Sequence, residues 1–293
     1  FNPYVNRMKN IGIIINSKRD RSNTTLTLIK DLAKKYSLDL YTEEYDMKNA
    51  LGANYITVDK FASIVDMVFA LGGDGTVLYA ASKLIGSNIP ILGINLGSLG
   101  FLSEVNEIDL SSAINLINKK DFEIFNRQVL EASVIKNKKM SNSYYSLNDI
   151  VIGWGRSSRI ITLKLFIDNE IVGVFTCDGM IISTPTGSTG HSLSNGGPIL
   201  HSSLHGICIS VICPHTLSTR PLVVPDSSKI LIEVQRSAKE LLLSVDGHEC
   251  YTLSEGDQIS INKSKESVSF ARLPGYSYFN TLTNKLNWRG SVI

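Results

Sequence analysis

Residues 67–84, MVFALGGDGTVLYAASKL, decide the reading of the first half of the chain. Met67 to Leu71 is a short apolar run that predicts a buried strand. Gly72, Gly73, Asp74, Gly75 and Thr76 form a glycine-rich turn, and Val77, Ala80, Ala81 and Leu84 follow at helical spacing. A strand that ends in such a turn and opens a helix is a phosphate-binding arrangement. Glycines let the backbone come close to a ligand, and unpaired amides at a helix start point toward negative charge. The carboxylate in the middle sets this loop apart, because an anion there repels phosphate. Asp74 therefore points to a chemical role, whether accepting a proton from a hydroxyl, orienting that hydroxyl, or holding Mg²⁺. The plainer alternative is a strand-to-helix turn with Asp74 as helix cap.

Working outward, Ile11 to Ile15 predicts a first buried strand, followed by a basic loop whose Lys18, Arg19 and Arg21 read as solvated. A helix carries Leu26, Ile29, Leu32 and Tyr36 on one face, and Leu38 to Tyr41 is a second strand; residues 43–60 are weakly patterned. After the central unit, Ile89 to Ile94 is another apolar strand that runs into Asn95-Leu-Gly-Ser-Leu-Gly-Phe101, a second glycine-spaced loop. A short helix, Ser111 to Asn118, closes this half. Alternating strands and helices imply a parallel sheet covered on both faces, with ligands beyond the carboxyl ends of its strands.

From about residue 122 the helical period disappears. Gln128 to Ile135, Tyr144 to Ile152, Ile160 to Ile167, Ile171 to Thr176, Gly206 to Cys213, Lys229 to Val234, Leu241 to Val245 and Gln258 to Ile261 read as strands. Lys136-Asn-Lys-Lys139 and Asp168-Asn169 read as hairpin turns. The second half is thus all-β. Ser277 to Trp288 returns to helical spacing and has nowhere to pack except on the first domain.

At 293 residues the chain is long enough for two domains, and its 43% hydrophobic and 19% charged content is that of an ordinary globular protein. A net charge of +2 argues for neither nucleic acid nor a membrane surface as partner, so any anion site is local. Cys177, Cys208, Cys213 and Cys250 form no C-x-x-C pair and no secretory segment is visible, which predicts reduced thiols and a cytoplasmic location. No apolar stretch approaches the ~20 residues of a membrane span.

A second constellation runs from Cys177 to Pro198, CDGMIISTPTGSTGHSLSNGGP, dense in hydroxyls and glycines with one acid, Asp178. Hydroxyls and amides in this spacing suit hydrogen bonding to sugar and base edges; a polar surface loop is the alternative, weakened by the apolar Met180, Ile181 and Ile182. Asn148-Asp149 at the head of a strand suits an adenine edge and a ribose diol, and is also a common turn; Asp246-Gly-His248 is similarly two-sided.

Gly72-Gly-Asp-Gly-Thr76, Asn148-Asp149, Thr184-Pro-Thr-Gly-Ser-Thr189 with Ser194-Asn-Gly-Gly-Pro198, and Pro214-His-Thr-Leu-Ser-Thr-Arg-Pro221 resemble the motifs of bacterial-type NAD kinases in order and spacing, from about Asn10 to Trp288. The Asp74 loop is shared with diacylglycerol, sphingosine and 6-phosphofructokinases, and so marks the superfamily; the other stretches are more specific. The resemblance implies a Rossmann-like α/β nucleotide-binding domain, residues 1–126 plus 267–293, and an all-β domain for NAD binding and oligomerisation, residues 127–266. It implies transfer of the γ-phosphate of ATP, or of a polyphosphate phosphate, to the adenosine 2′-hydroxyl of NAD, with Mg²⁺ and a homo-oligomer, dimer or tetramer. Asp74 would be the catalytic acid–base residue, with the donor phosphates over Gly72, Gly73, Gly75 and Thr76. Gly75, Phe101, Asn148, Asp149, Arg159, Asp178, Thr186, Thr189, Gly190, His191, Ser192, Leu193, Ser194, Asp246 and His248 would join Asp74 at NAD. No protein side chain is assigned to a metal.

Two positions depart from the family pattern, which usually has Ala-Tyr at Gly190-His191 and often Gln at His248. Histidine stacks less than tyrosine and titrates near neutral pH. Rival readings fare worse. A lipid kinase wants an apolar groove, a non-catalytic NAD sensor needs no acid in its glycine loop, and a dehydrogenase wants G-x-G-x-x-G where Asn16-Ser-Lys-Arg stands. His201 and His205 lack a third zinc ligand, Ser188 lacks a partner base, His215 reads as ordering the turn before Arg220, and Trp154 and Trp288 read as packing residues.

Overall fold

A computed structural model describes residues 8–15, 23–97, 100–154, 160–237 and 241–288. They form two compact units, one holding the chain up to Asn126 and again from Val268, the other Arg127–Ser267.

The first unit is built on a parallel sheet in the order Asn54–Tyr55, Asp39–Thr42, Asn10–Ile15, Met67–Leu71, Ile91–Asn95. Every residue of Met67–Leu71 and Ile91–Asn95 is buried, as a strand covered on both faces requires. Phe270 and the short strand Val105–Asn106 pair with the free edge of Ile91–Asn95. Helix Asn23–Tyr36 turns Leu26, Ile29 and Leu32 into the same core as Ile11, Ile13, Phe69 and Leu92. Helix Asp74–Leu84 buries Thr76, Val77, Ala80, Ala81 and Leu84, the face its spacing foretold. Leu71 lies opposite Ile94 in register and the Gly72 amide donates to the Ile94 carbonyl at 2.9 Å, so the two glycine loops leave the sheet side by side at its carboxyl edge.

The weakly patterned stretch contains a helix, Tyr45–Leu51, that the sequence pattern does not resolve; only Met47 and Leu51 of it are buried, too few to set a period. The final helix, Tyr278–Leu286, is capped by Ser277, whose hydroxyl accepts the Asn280 amide, and buries Thr281 and Leu282 within this unit. Trp288 is exposed, not a packing residue; Trp154 lies in a strand but its side chain is outside the described set.

The second unit is antiparallel. One six-stranded sheet runs Leu222–Pro225, Gly206–Ile212, Gly179–Ser183, Asp149–Trp154, Leu241–Val245, His248–Leu253. A second sheet orders Glu170–Cys177, Ile161–Ile167, Ile230–Arg236 and the strand that starts at Gln258. Both contribute to one core that includes Ile150, Ile152, Leu163, Met180, Ile232 and Leu243. The hairpin turns at Asn137-Lys138 and Asp168-Asn169 have φ of 51° and 61°, and 51° and 69°, the paired left-handed geometry of two-residue turns. Strands Leu222–Pro225 and His248–Leu253 are additions to the expected set: the first is apolar but only four residues long and bracketed by Pro221 and Pro225, and polar residues interrupt the second. The run Tyr144–Ile152 is not one strand but two, Tyr144–Ser146 and Asp149–Trp154, broken at Leu147 and Asn148.

Candidate active site

In the first unit, Gly73 is the helix N-cap and Asp74 the first helical residue. Asp74 does not cap the helix. Its carboxylate turns to the second glycine loop, where Oδ2 accepts the Phe101 amide at 2.9 Å and Oδ1 the Leu102 amide at 3.0 Å. Gly73 and Gly75 are exposed, and a Cβ on either would meet nothing within 4 Å. The protein's own packing therefore does not ask for glycine there; open space over the amides of the helix start is what the two residues leave.

In the second unit, the break in the strand has a cause. Asp246, in the turn between Leu241–Val245 and His248–Leu253, directs its carboxylate at residues 146–149. Oδ1 accepts Ser146 Oγ at 2.6 Å, the Asn148 amide at 2.8 Å and the Asp149 amide at 3.1 Å, and Oδ2 accepts the Leu147 amide at 2.8 Å. These amides serve the carboxylate in place of a strand ladder, so Asn148 and Asp149 sit at a strand head with their backbone fixed. Burial raises the Asp246 carboxyl above its ordinary value, against the lowering pull of those four donors.

The Asn148 carbonyl accepts the Thr184 amide at 2.9 Å, while its side-chain Oδ1 is buried with no hydrogen-bond partner. A buried amide oxygen left in this way costs stability unless a ligand supplies the donor. Asp149 is 1% exposed, and its carboxylate meets His191 Nδ1 at 3.1 and 3.2 Å. His191 opens the short helix His191–Ser194, and the hydrogen bond and charge of Asp149 raise its pKa against an opposing effect of burial. A cavity of about 450 Å³ lies beside it, bordered by Ser194, Asn195, Ser244, Gly247 and Glu249 with an apolar wall of Val151, Ile181 and Ile212. The arrangement offers hydrogen-bond acceptors, a carboxylate and a titratable ring to a polar ligand with an apolar body.

Comparison with known proteins bears on both units. The family model of the ATP-NAD kinase N-terminal domain matches residues 11–122, and that of the ATP-NAD kinase C-terminal domain matches residues 147–273. The chain belongs to the NAD kinase family. It is an enzyme, a phosphotransferase with an alcohol group as acceptor. The NAD kinase of Desulforamulus reducens is 35% identical over 287 residues, covering 97% of this chain and 100% of the relative. That of Lachnoclostridium phytofermentans is 38% identical over 285 residues, covering 95% and 99%. Among solved structures, yeast NADH kinase complexed with NADH superposes with a TM-score of 0.90 at 25% identity, covering 99% of this chain and 90% of that one. An NAD kinase from Archaeoglobus fulgidus in complex with ATP shares the fold, with a TM-score of 0.75 at 22% identity over 96% and 100%.

Of the site residues expected from the sequence, the second unit gathers Asn148, Asp149, Gly190, His191 and Asp246. Ser194 shares the cavity with His191. Thr186 and Thr189 have internal partners: Thr186 Oγ1 accepts from Arg127 at 3.1 Å, and Thr189 Oγ1 donates to the Thr186 carbonyl at 3.3 Å. Ser192 is fully buried and donates to Cys208 Sγ, while Leu193 is half-buried. Asp178 hydrogen-bonds Cys213, whose thiol that carboxylate pushes up. His248 is exposed at the start of its strand, and Phe101 is half-buried, its amide given to Asp74. Arg159, like Lys18, Arg19 and Arg21, lies outside the described residues.

Ser188 Oγ donates to the Pro185 carbonyl at 2.6 Å and accepts the Leu200 amide at 2.9 Å, a buried brace and no nucleophile. His201 bonds Ser203 and His205 bonds Asp226, in separate places. Arg220 itself orders the turn before it, donating to the carbonyls of Leu217 and Thr219 at 2.8 Å. The acceptor role of Asp246 and the Asp149–His191 contact are not legible in the sequence. Each joins residues 42 or more apart, and only the hydrogen-bonding character of the types involved hints at them.

Proposed function

We propose that the chain phosphorylates the adenosine 2′-hydroxyl of NAD to give NADP, with Asp74 as the acid–base residue and ATP, or a polyphosphate, as donor. The observation that carries this reading is the Asp74 carboxylate, set in a glycine turn at a helix start and held through both oxygens by backbone amides. Phosphoryl transfer needs positioning and charge stabilisation more than covalent help. The 2′-oxygen bonds to the γ-phosphorus as the bond from that phosphorus to the bridging oxygen breaks. Asp74 orients the hydroxyl and takes its proton, and the amides of Gly72, Gly73, Gly75 and Thr76 face the donor's phosphates. Asn148, with its unpartnered buried oxygen, reads an exocyclic amine of the adenine, and Asp149 the ribose diol. Asp178, Thr189, Gly190, His191, Ser192, Leu193 and Ser194 complete the NAD subsite on the second unit, and Asp246 and His248 border it.

Mg²⁺ accompanies the donor in this reading. Among the described residues no three His, Cys, Asp or Glu side chains lie close enough to hold a metal between them. The ion is carried on the donor's phosphates, where it offsets their charge. A homo-oligomer, dimer or tetramer, is supported by Ile171, Val172 and Val174, exposed on the edge strand Glu170–Cys177. A cytoplasmic location is supported by four free cysteines. Among the described residues no helix is long and apolar enough to cross a membrane.

A coupled assay tests the reading: protein, NAD, ATP and Mg²⁺, with NADP detected by an NADP-specific dehydrogenase. NADP that forms with ATP and falls by ~10²–10⁴-fold in Asp74→Asn is the expected result, that being the usual contribution of an acid–base group. An Asp74→Asn protein with normal turnover would remove Asp74 from its role. No NADP from either donor, despite tight NAD binding, would favour a sensor.

A further inference from the structure

We propose that the second glycine loop, through Gly100 and the amides of Phe101 and Leu102, is the device that positions Asp74 for transfer. This rests on the reading of Asp74 as the group at the acceptor hydroxyl. Asp74 is a half-exposed side chain with two free torsions, and nothing in its own helix holds it, since its carboxylate makes no cap. It is fixed from outside. Two amide bonds of 2.9 and 3.0 Å, one to each oxygen, set both the direction and the roll of the carboxylate plane. Each oxygen keeps a second lone pair for the substrate hydroxyl.

The loop can come this close only because of what it lacks. A Cβ at Gly100 would stand 1.9 Å from Asp74 Oδ1 and 2.7 Å from its carboxyl carbon, well inside any real contact. The other side of the loop is equally tight: a Cβ at Gly93, in the strand beneath, would stand 2.6 Å from the Leu102 carbonyl. The Glu104 amide ties the loop to that strand, donating to the Gly93 carbonyl at 3.0 Å. The amides are therefore pinned to the buried sheet, and Asp74 is pinned to the amides. Gly100 differs in kind from Gly73 and Gly75, whose missing side chains leave open space. Its missing side chain is filled by the carboxylate. Gly100, Phe101 and Leu102 are positioning residues; they act on the reaction through Asp74.

The test is Gly100→Ala, measured beside Asp74→Asn and the double variant. The added methyl drives the carboxylate off its amides, and a displacement of about 1 Å at a reacting group costs ~100-fold in rate. The expected result is that fall in kcat with KM for NAD unchanged, and no further fall when Gly100→Ala is added to Asp74→Asn. A Gly100→Ala enzyme with wild-type kcat, or one whose loss multiplies with that of Asp74→Asn, would overturn the proposal. If Asp74→Asn itself turns over normally, the reading of Asp74 has failed instead, and the two failures are distinguishable. Should Gly100→Ala not fold, the amide proton resonances of Phe101 and Leu102 decide the matter in wild type and Asp74→Asn. At least one moves markedly upfield when an acceptor oxygen is lost; two unmoved resonances overturn the device.

Discussion

Asp246 offers a quantitative test of how the second unit holds its ligand-facing residues. In the native protein its carboxylate accepts one hydroxyl and three amides, all from residues 146–149. Asp246 also has φ of 47°, a backbone conformation asparagine tolerates at least as well as aspartate. Asp246→Asn therefore isolates the hydrogen bonding. The amide oxygen can replace Oδ1 and keep three donors, but Nδ2 then faces the Leu147 amide, donor against donor. One unsatisfied buried donor costs roughly 1–3 kcal/mol. Asp246→Ala strands all four, and breaking a buried charged network costs roughly 3–5 kcal/mol. At roughly 2–4 °C per kcal/mol for a domain of this size, Tm falls by roughly 2–12 °C for asparagine and roughly 6–20 °C for alanine. Thermal unfolding followed by dye fluorescence measures this, and the coupled assay reports a raised KM for NAD as Asn148 and Asp149 lose their fixed backbone. A fully folded Asp246→Ala with wild-type Tm would refute the reasoning, because it would mean that the four donors find equal partners without the carboxylate.

Three further expectations follow from contacts of the same unit. The pKa of His191 is raised by Asp149, so its ion pair contributes stability that is fully present below the ordinary histidine value and lost as pH rises through the raised one. The Tm difference between wild type and His191→Asn should shrink across that window, and a pH-independent difference would exclude the pair. Gly187→Ala would set a methyl 2.1 Å from the Asn148 carbonyl oxygen, against backbone that Asp246 already holds; it should destabilise by about 1–3 kcal/mol and raise KM for NAD with little change in kcat. Thiol titration should show Cys213, which is exposed, reacting first, while the buried Cys208 and Cys177 react only on unfolding, burial having pushed Cys177 up to about 11. Rapid labelling of Cys177 in the native protein would contradict its place in the core.

Much of this is legible in the sequence, for identifiable reasons. The strand, turn and helix around Asp74 declare themselves because both faces of Met67–Leu71 are buried, which leaves an unbroken apolar run, and because the helix that follows has one buried face. The two hairpin turns are equally plain, since Asn-Lys and Asp-Asn suit the left-handed pairs seen at those positions. Asn148-Asp149 shows only as an ambiguous turn. What fixes it is a carboxylate 98 residues later in the chain, and hydrophobic periodicity carries no trace of such a contact. The same holds for Gly100, which the sequence presents as part of a second glycine-spaced loop and the structure gives to Asp74. The strand break at Leu147 and Asn148 is masked by the β-forming Tyr144 and Tyr145 on one side and Ile150, Val151 and Ile152 on the other; the amides at the break turn away for a polar reason.

The discontinuity of the first unit has a consequence for biosynthesis. Val105–Asn106 covers Ile94 and Asn95 of its edge strand early, but the start of that strand gains a partner only when Phe270 pairs with Ile91, more than 170 residues later in the chain. The second unit is continuous from Arg127 to Ser267 and holds all its own strand partners before then. A nascent chain would thus complete its later half while the earlier half still shows an unclosed strand edge, the state in which chaperone capture and misassembly compete with folding. Emergence of the segment that carries Phe270, rather than of the glycine loop, would be the event that finishes the unit carrying Asp74.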